Sequence, residues 1–332
     1  MAQDSYIVVG AGVFGSSTAL ELAKAGHKVV VLERSADAYH SPDAASNDLN
    51  KIVRADYSDE HYRDLGKEAI SIWRRSDLLS PYYHETGVLF YAEDMGSSSK
   101  DYIREGVSRA SGGKNPASSG LELPKNGHTL PSAAYSLSSP SELERSFPLQ
   151  MKAMMMSRWA SKIESGSMQA YFNPRGGWGE ADTATRAVLD EAKRYGAEVK
   201  GNSCIDKLLF SDGSDSPDHR VIGVRTSRGE EYKVSGNGHV IICAGAWANS
   251  LLHDLLPAKM KPRRMPTWPS AQCVVALQLD EQQRKAYAGA PVILDFTKWV
   301  IRTYSAHRIY HADLSHSLLP LSHTQRLLLL RT

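Results

Sequence analysis

The feature that most restricts what this chain can fold into lies at its start. Tyr6-Ile-Val-Val is an apolar run ending on Gly10, and Gly10-Ala-Gly12-Val-Phe-Gly15 follows with G-x-G-x-x-G spacing. Ser16 to Ala25 is rich in Ala and Leu, and Gly26 stands where a helix closes on a left-handed residue. Val29-Val-Val-Leu-Glu33 is a second apolar run. Strand, glycine turn, helix and strand fill one βαβ length, and that context makes a weak glycine signature specific. Short, fully apolar strands joined by a helix belong to a parallel sheet covered on both faces.

Each glycine has a separate reason. Gly10 permits the tight turn, Gly12 lets backbone approach a pyrophosphate, and Gly15 lets helix and strand pack closely. Free N–H groups and the positive dipole end at the helix N-terminus favour phosphate. Val13 and Phe14 lie inside the turn, and Glu33-Arg34 closes the second strand. Glu33 is placed to accept hydrogen bonds from ribose hydroxyls, and its charge repels a 2′-phosphate, which disfavours NADP. The turn alone leaves FAD and NAD open.

The rest of the 332 residues sets outer bounds. There are 39 basic and 37 acidic side chains, a net +2, so the concentrated basic surface that nucleic acid requires is not expected. Cys204, Cys243 and Cys273 have no C-x-x-C spacing and are expected to be small buried hydrophobes in a reducing compartment. No apolar run is long enough to span a membrane. Met1-Ala-Gln-Asp leaves no room for a secretory leader. A cytoplasmic or peroxisomal protein is expected, although Leu330-Arg331-Thr332 is not an S-K-L-type address.

Along the chain, Ala55 to Arg75 reads as a helix and His84 to Tyr91 as a strand of a different sheet. Residues 96–142 read as short helices between loops, with Ser139-Pro140 as an N-cap and N1 pair. Asp182 to Tyr195 is an amphipathic helix ended by Gly196. Val221 to Thr226 pairs with the strand at Tyr232, His239 begins a buried strand, and Gln272 to Leu279 is another strand. Beyond Phe296 the sequence changes to His, Ser, Leu and Arg with little periodicity.

The segment Ala45-Ser-Asn-Asp-Leu-Asn-Lys51-Ile-Val-Arg54 carries more than the glycine turn. It resembles the sarcosine oxidase, pipecolate oxidase and fructosyl amino-acid oxidase group, a branch of the D-amino-acid-oxidase-like flavoproteins. Asn47 to Ile52 is especially similar to the fungal amadoriase, saccharopine and pipecolate oxidases. His84-Glu-Thr-Gly-Val-Leu, Gly176-Gly-Trp178, Ala192-Lys-Arg-Tyr-Gly-Ala-Glu-Val and Cys243-Ala-Gly245-Ala-Trp247 agree in order, so that the resemblance covers residues 5–296.

The resemblance implies a mixed α/β protein: a Rossmann-like FAD-binding domain over 1–80 and 150–258, and a mixed-sheet substrate domain over 81–149 and 259–296. The implied partners are FAD, a small amine or amino acid and O2, in a monomer. The implied reaction oxidises a C–N bond: hydride leaves the carbon beside nitrogen, water hydrolyses the imine, and oxygen becomes hydrogen peroxide. By the same resemblance Ser46, Asn50, Lys51 and Ile52 run alongside the flavin, with Lys51 as a cation over its ring. Arg54 grips the substrate carboxylate. Ile205 meets the adenine with its backbone, and Ala244, Gly245 and Trp247 let a strand end approach the dinucleotide. Unaided, Lys51 reads as a solvated lysine, Arg54 as an ion-pair partner, Trp178 and Trp247 as core, and His84 as a structural histidine.

Two departures stand out. Several relatives carry a lysine near flavin N5 where this chain has Ser270-Ala271-Gln272, a small-small-Gln pattern that resembles the fungal pipecolate-like branch. The stretch 297–332 is expected to be an atypical, non-family tail, leaving the family's last flavin-facing elements missing. No cysteine follows Cys273, so covalent flavin attachment at the family position is not expected. An NAD-dependent dehydrogenase and an inactive shortened form of the family are the alternatives.

Overall fold

A computed structural model describes residues 3–93, 97–110, 134–147, 149–211, 220–261, 269, 273–297, 300–304 and 308–313. The expected lysine position at 270–272 lies outside the described residues. The chain divides into two compact units: 1–51, 77–82 and 180–270 form the first, and 52–76, 83–179 and 271–332 the second.

In the first unit, β1 (Ser5–Val9), α1 (Val13–Lys24) and β2 (Lys28–Leu32) form the βαβ opening. Its sheet adds β13 (Val240–Ile242) beside β1 and β9 (Glu198–Lys200) beside β2, with every pairing parallel. Period-two alternation decides which side chain goes where. Val8, Val29 and Val31 pack on one face with α1 and α6 (Ala181–Arg194), through Ala19, Leu20, Ala23, Val188, Leu189 and Ala192. Ile7, Val9 and Leu32 pack on the other face with Ile205, Leu208 and Val224. Those residues come from the antiparallel sheet of β10 (Ile205–Phe210), β11 (Val221–Thr226) and β12 (Glu231–Lys233). Both faces of the parallel sheet are therefore buried, which is why its strands read as continuous apolar runs.

In the second unit a seven-stranded mixed sheet is built around β5 (Val88–Glu93), which pairs parallel with β15 (Val292–Asp295) and antiparallel with β7 (Met168–Asn173). Leu89, Tyr91, Met168, Phe172 and Ile293 bury one face against Trp159 and Met155 of α5 (Leu149–Glu164). Val88, Phe90, Tyr171 and Leu294 form the other face with Ile103 and Val107 of α3 (Ser97–Ala110). Residues 150–179, expected in the dinucleotide-binding domain, thus belong to the second unit, because α5 and β7 complete this sheet's core. Residues 52–76 join the same unit, and 259–270 the first.

Several elements differ from the sequence expectation. The helix expected over Ala55–Arg75 is α2, Glu60–Arg75, started where Asp59 accepts from Tyr62 N. The strand expected at His84–Tyr91 is two: β4 (Tyr83–His84) lies in a small sheet with β8 (Gly177–Gly179) and β3 (Lys51–Val53), while β5 enters the large sheet. Ser139 caps α4 (Pro140–Arg145) as expected, in a reciprocal pair with Glu142. Cys243 is half-buried but Cys204 is exposed, contrary to expectation. The stretch expected to be an irregular tail contains β16 (Val300–Tyr304) and β17 (Arg308–Asp313), antiparallel neighbours that extend the large sheet. Among the described residues no helix is long and apolar enough to cross a membrane, and no cluster of potential metal ligands occurs.

Candidate functional site

The first unit builds a cradle at the carboxyl ends of β1 and β13. Strands leave β1 toward opposite sides here, the place where open α/β sheets bind ligands. Gly10 has φ +105°, and a Cβ on it would lie 2.5 Å from Cys243 O. A Cβ on Gly15 would lie 1.8 Å from Gly10 O, so α1 sits closer to β1 than any side chain permits. Gly12 differs. It is in ordinary extended conformation, and the nearest atom to its missing side chain is Ser46 Oγ at 3.7 Å. Gly12 offers α1 no side-chain cap, and the helix N-terminus keeps its positive end for an anion.

Glu33 is buried and ties the cradle together. Its Oε2 accepts from Ala11 N (2.8 Å) and its Oε1 from Ser35 N (3.0 Å). Replacing Glu33 with Gln turns one of these contacts into donor against donor. The variant then loses about 1–3 kcal/mol in urea unfolding without FAD and, once loaded, retains FAD less well; an unchanged urea midpoint would show that the backbone bonds are not what Glu33 supplies. Arg34 lies over the Trp247 ring at 4.2 Å and donates to Ser41 Oγ and Asp43. Ser46 Oγ accepts from Val13 N at 3.0 Å, while Val13 and Phe14 are exposed. Asn50 is buried, and the loop before it is held where Asp182 N donates to Asp48 O (2.9 Å). Lys51 is exposed and its ammonium pairs with Asp48. Ile205 is buried in the core, in register with Thr226 of β11. Ala244 and Gly245 follow β13, and the space above Gly245 is open.

The second unit gathers a different set. Arg54 leaves β3 with its guanidinium 4.4 Å from the Tyr57 ring and 5.6 Å from the Phe90 ring. Its Nη1 donates to Asp56 O at 2.8 Å. The same carbonyl accepts from the Tyr102 hydroxyl of α3 at 2.7 Å. Phe90 stacks on Tyr171 (4.4 Å, 6° between planes), and Phe296 stacks on Tyr102 (4.9 Å). Asp56 is 4% exposed. Its Oδ1 accepts from Asn173 Nδ2 (2.8 Å) and Tyr171 OH (3.4 Å). Burial pushes the Asp56 carboxyl above the usual carboxylate range, against the pull of Asn173, Arg54 and Tyr171. Burial pulls Arg54 down, but Tyr102, Tyr57 and Asp56 outweigh it and hold the guanidinium above its ordinary value. Burial first, then Asp56, keeps the Tyr171 hydroxyl protonated.

The sequence singles out Arg54 but gives no sign of the part played by Tyr57, Asp56, Phe90, Tyr102, Tyr171, Asn173 and Phe296, apart from one cue for Asp56, an acid two residues beyond Arg54. Trp178 is core, as the plain reading had it, and stacks on His84 at 3.9 Å.

A doubly covered parallel sheet with a glycine cradle at its switch point defines a dinucleotide-binding α/β protein. Residues 5–314 match the family of FAD dependent oxidoreductases, and the chain belongs to that family. The match runs past Phe296, the limit expected from sequence, and takes in β16 and β17. The chain is 28% identical over 296 residues to L-saccharopine oxidase of Schizosaccharomyces pombe, covering 87% of this chain and 59% of that protein. It superposes on fructosamine oxidase (Amadoriase II) of Aspergillus fumigatus with TM-score 0.63 at 25% identity, over 94% of this chain and 62% of that one. Fructosyl peptide oxidase from E. terrenum shares the fold (TM-score 0.67, 22% identity, 94% of this chain and 63% of that one). The chain spans about three fifths of the length of these relatives. The small Gly12, a helix end whose N-cap residue bears no side chain, and the acidic Glu33 suit the pyrophosphate and ribose of FAD.

Proposed function

We propose that this chain binds FAD non-covalently and serves the oxidation of a secondary amine or N-substituted amino acid of the pipecolate, saccharopine or sarcosine type. The observation that carries the reading is the half-buried Arg54 guanidinium, fixed by the Asp56 carbonyl and the Tyr57 ring. A planar cation so held is a natural partner for a substrate carboxylate. Tyr102 and Phe296, stacked and only partly buried over the core residues Phe90 and Tyr171, give the same region an aromatic face suited to an aliphatic or cyclic amino acid.

FAD supplies the hydride acceptor, and reoxidation by oxygen yields hydrogen peroxide. Glu33 and the α1 N-terminus hold the ribose and pyrophosphate. Ser46, Asn50 and Ile52 lie along the cofactor, Ile205, Ala244, Gly245 and Trp247 border its adenosine half, and Lys51 provides a cation. Arg54 orients the carboxylate so that the carbon beside nitrogen is presented for hydride loss. The chain with FAD added should release peroxide on incubation with L-pipecolate, saccharopine or sarcosine in aerated buffer, in proportion to amine consumed. Substrate turnover that needs NAD and no oxygen would contradict the reading.

A further inference from the structure

Among the described residues Asp56 is the one buried carboxylate in the Arg54 cluster, and its two oxygens are unequal. Oδ1 is satisfied by Asn173 and Tyr171, whereas Oδ2 is buried with no hydrogen-bond partner. An unpartnered, ionised carboxylate oxygen in such a place is costly. Asp56 also bears on Arg54 electrostatically, while Arg54 bonds its main chain. An ionised Asp56 therefore offsets the charge that would draw a carboxylate to Arg54, and a protonated one leaves that charge whole.

We propose that Asp56 is a positioning residue for the carboxylate subsite, and that its Oδ2 carries a proton whenever Arg54 holds an anion, so that carboxylate binding takes up one proton. The inference rests on the reading of Arg54 as that subsite. The groups facing Asp56 are Arg54, Tyr102 of α3, and Tyr171 and Asn173 of β7. Tyr171 stays neutral and Asn173 does not titrate, and Arg54 keeps its charge. Burial already lifts Asp56 above the usual carboxylate range, and a bound anion lifts it further. The sign follows from linkage. The ligand favours the protonated carboxyl, so affinity is highest at low pH and falls as pH rises through the Asp56 pKa of the empty site.

The test is calorimetric titration of the full chain with cyclohexanecarboxylate, a ligand with no amine to titrate and an anion above about pH 6. Wild-type affinity should fall as pH rises, by up to about tenfold per pH unit, with uptake approaching one proton. Uptake is read by repeating the titration in two buffers of different ionisation enthalpy, which requires no variant. Asp56→Asn, of nearly the same shape, should bind with pH-independent affinity. A flat wild-type profile with no proton uptake would overturn the proposal, as would an Asp56→Asn protein that keeps the slope. Flat binding that Arg54→Gln abolishes would sink the proton linkage alone and leave the function standing. No binding by the wild type, or binding indifferent to Arg54→Gln, would overturn both.

Discussion

Gly15→Ala should cost the chain its fold at the cofactor cradle, whereas Gly12→Ala should cost FAD retention alone. A Cβ on Gly15 would lie 1.8 Å from Gly10 O and 2.8 Å from Gly10 C. Both are backbone atoms, so no rotamer change relieves the clash. Either α1 moves off β1 or the turn opens, and both routes loosen the packing of Ala19 and Ala23 against Val8 and Val31. Forcing atoms into a packed site costs about 1–3 kcal/mol where neighbours can give, and more where they are backbone, so a loss above about 3 kcal/mol is expected. Gly12 meets only Ser46 Oγ, at 3.7 Å, and its backbone suits alanine. Its replacement should change the stability of the FAD-free chain by less than about 1 kcal/mol. The new methyl still occupies the space through which a pyrophosphate reaches the helix N-terminus. Urea unfolding without FAD, with FAD retention on desalting, separates the two effects. A Gly15→Ala chain as stable as wild type would refute the close packing of α1. A Gly12→Ala chain that holds FAD normally would refute the placement of the pyrophosphate.

Arg54→Gln should raise KM for a carboxylate-bearing amine by about two orders of magnitude. Removing one partner of a desolvated, charge-assisted pair costs about 2–5 kcal/mol, and about 1.4 kcal/mol is a factor of ten. The same variant should leave KM for an amine without a carboxylate nearly unchanged. Arg54→Lys should recover little, because an ammonium lacks both the planar fork and the face that lies on Tyr57. Equal losses for both classes of amine would remove Arg54 from carboxylate recognition and make it a structural cation.

What the sequence revealed and what it concealed divide along the range of the interactions. The βαβ opening was legible because its signals are local: apolar runs, glycines fixed by spacing, and an acid closing the second strand. The hairpin of β11 and β12, helix α6 and the Ser139 cap were legible for the same reason. The substrate-side cluster was not. Asn173 reaches Asp56 across 117 residues and Tyr102 across 46, and no spacing rule spans such distances. Arg54 was found through the resemblance of its segment, and its neighbours had no such marker. The two compact units differ from the expected domain bounds because the chain crosses between units several times, and α5 looks equally suited to any sheet face until β7 and β5 are paired. Strands β16 and β17 were missed since five or six residues with interspersed His and Arg give little period-two signal, although β17 finds partners in β14 (Cys273–Gln278) and β16.

The central claim is that the cradle of Gly10, Gly12, Gly15 and Glu33 holds FAD without a covalent bond. The most direct measurement is the visible absorption spectrum of the purified chain after incubation with FAD and desalting, repeated on the supernatant after acid precipitation. The account predicts an oxidised-flavin spectrum that travels with the protein and is released whole by acid. A folded chain, shown so by far-UV circular dichroism, that emerges colourless from FAD would contradict it, as would yellow colour that stays in the acid pellet.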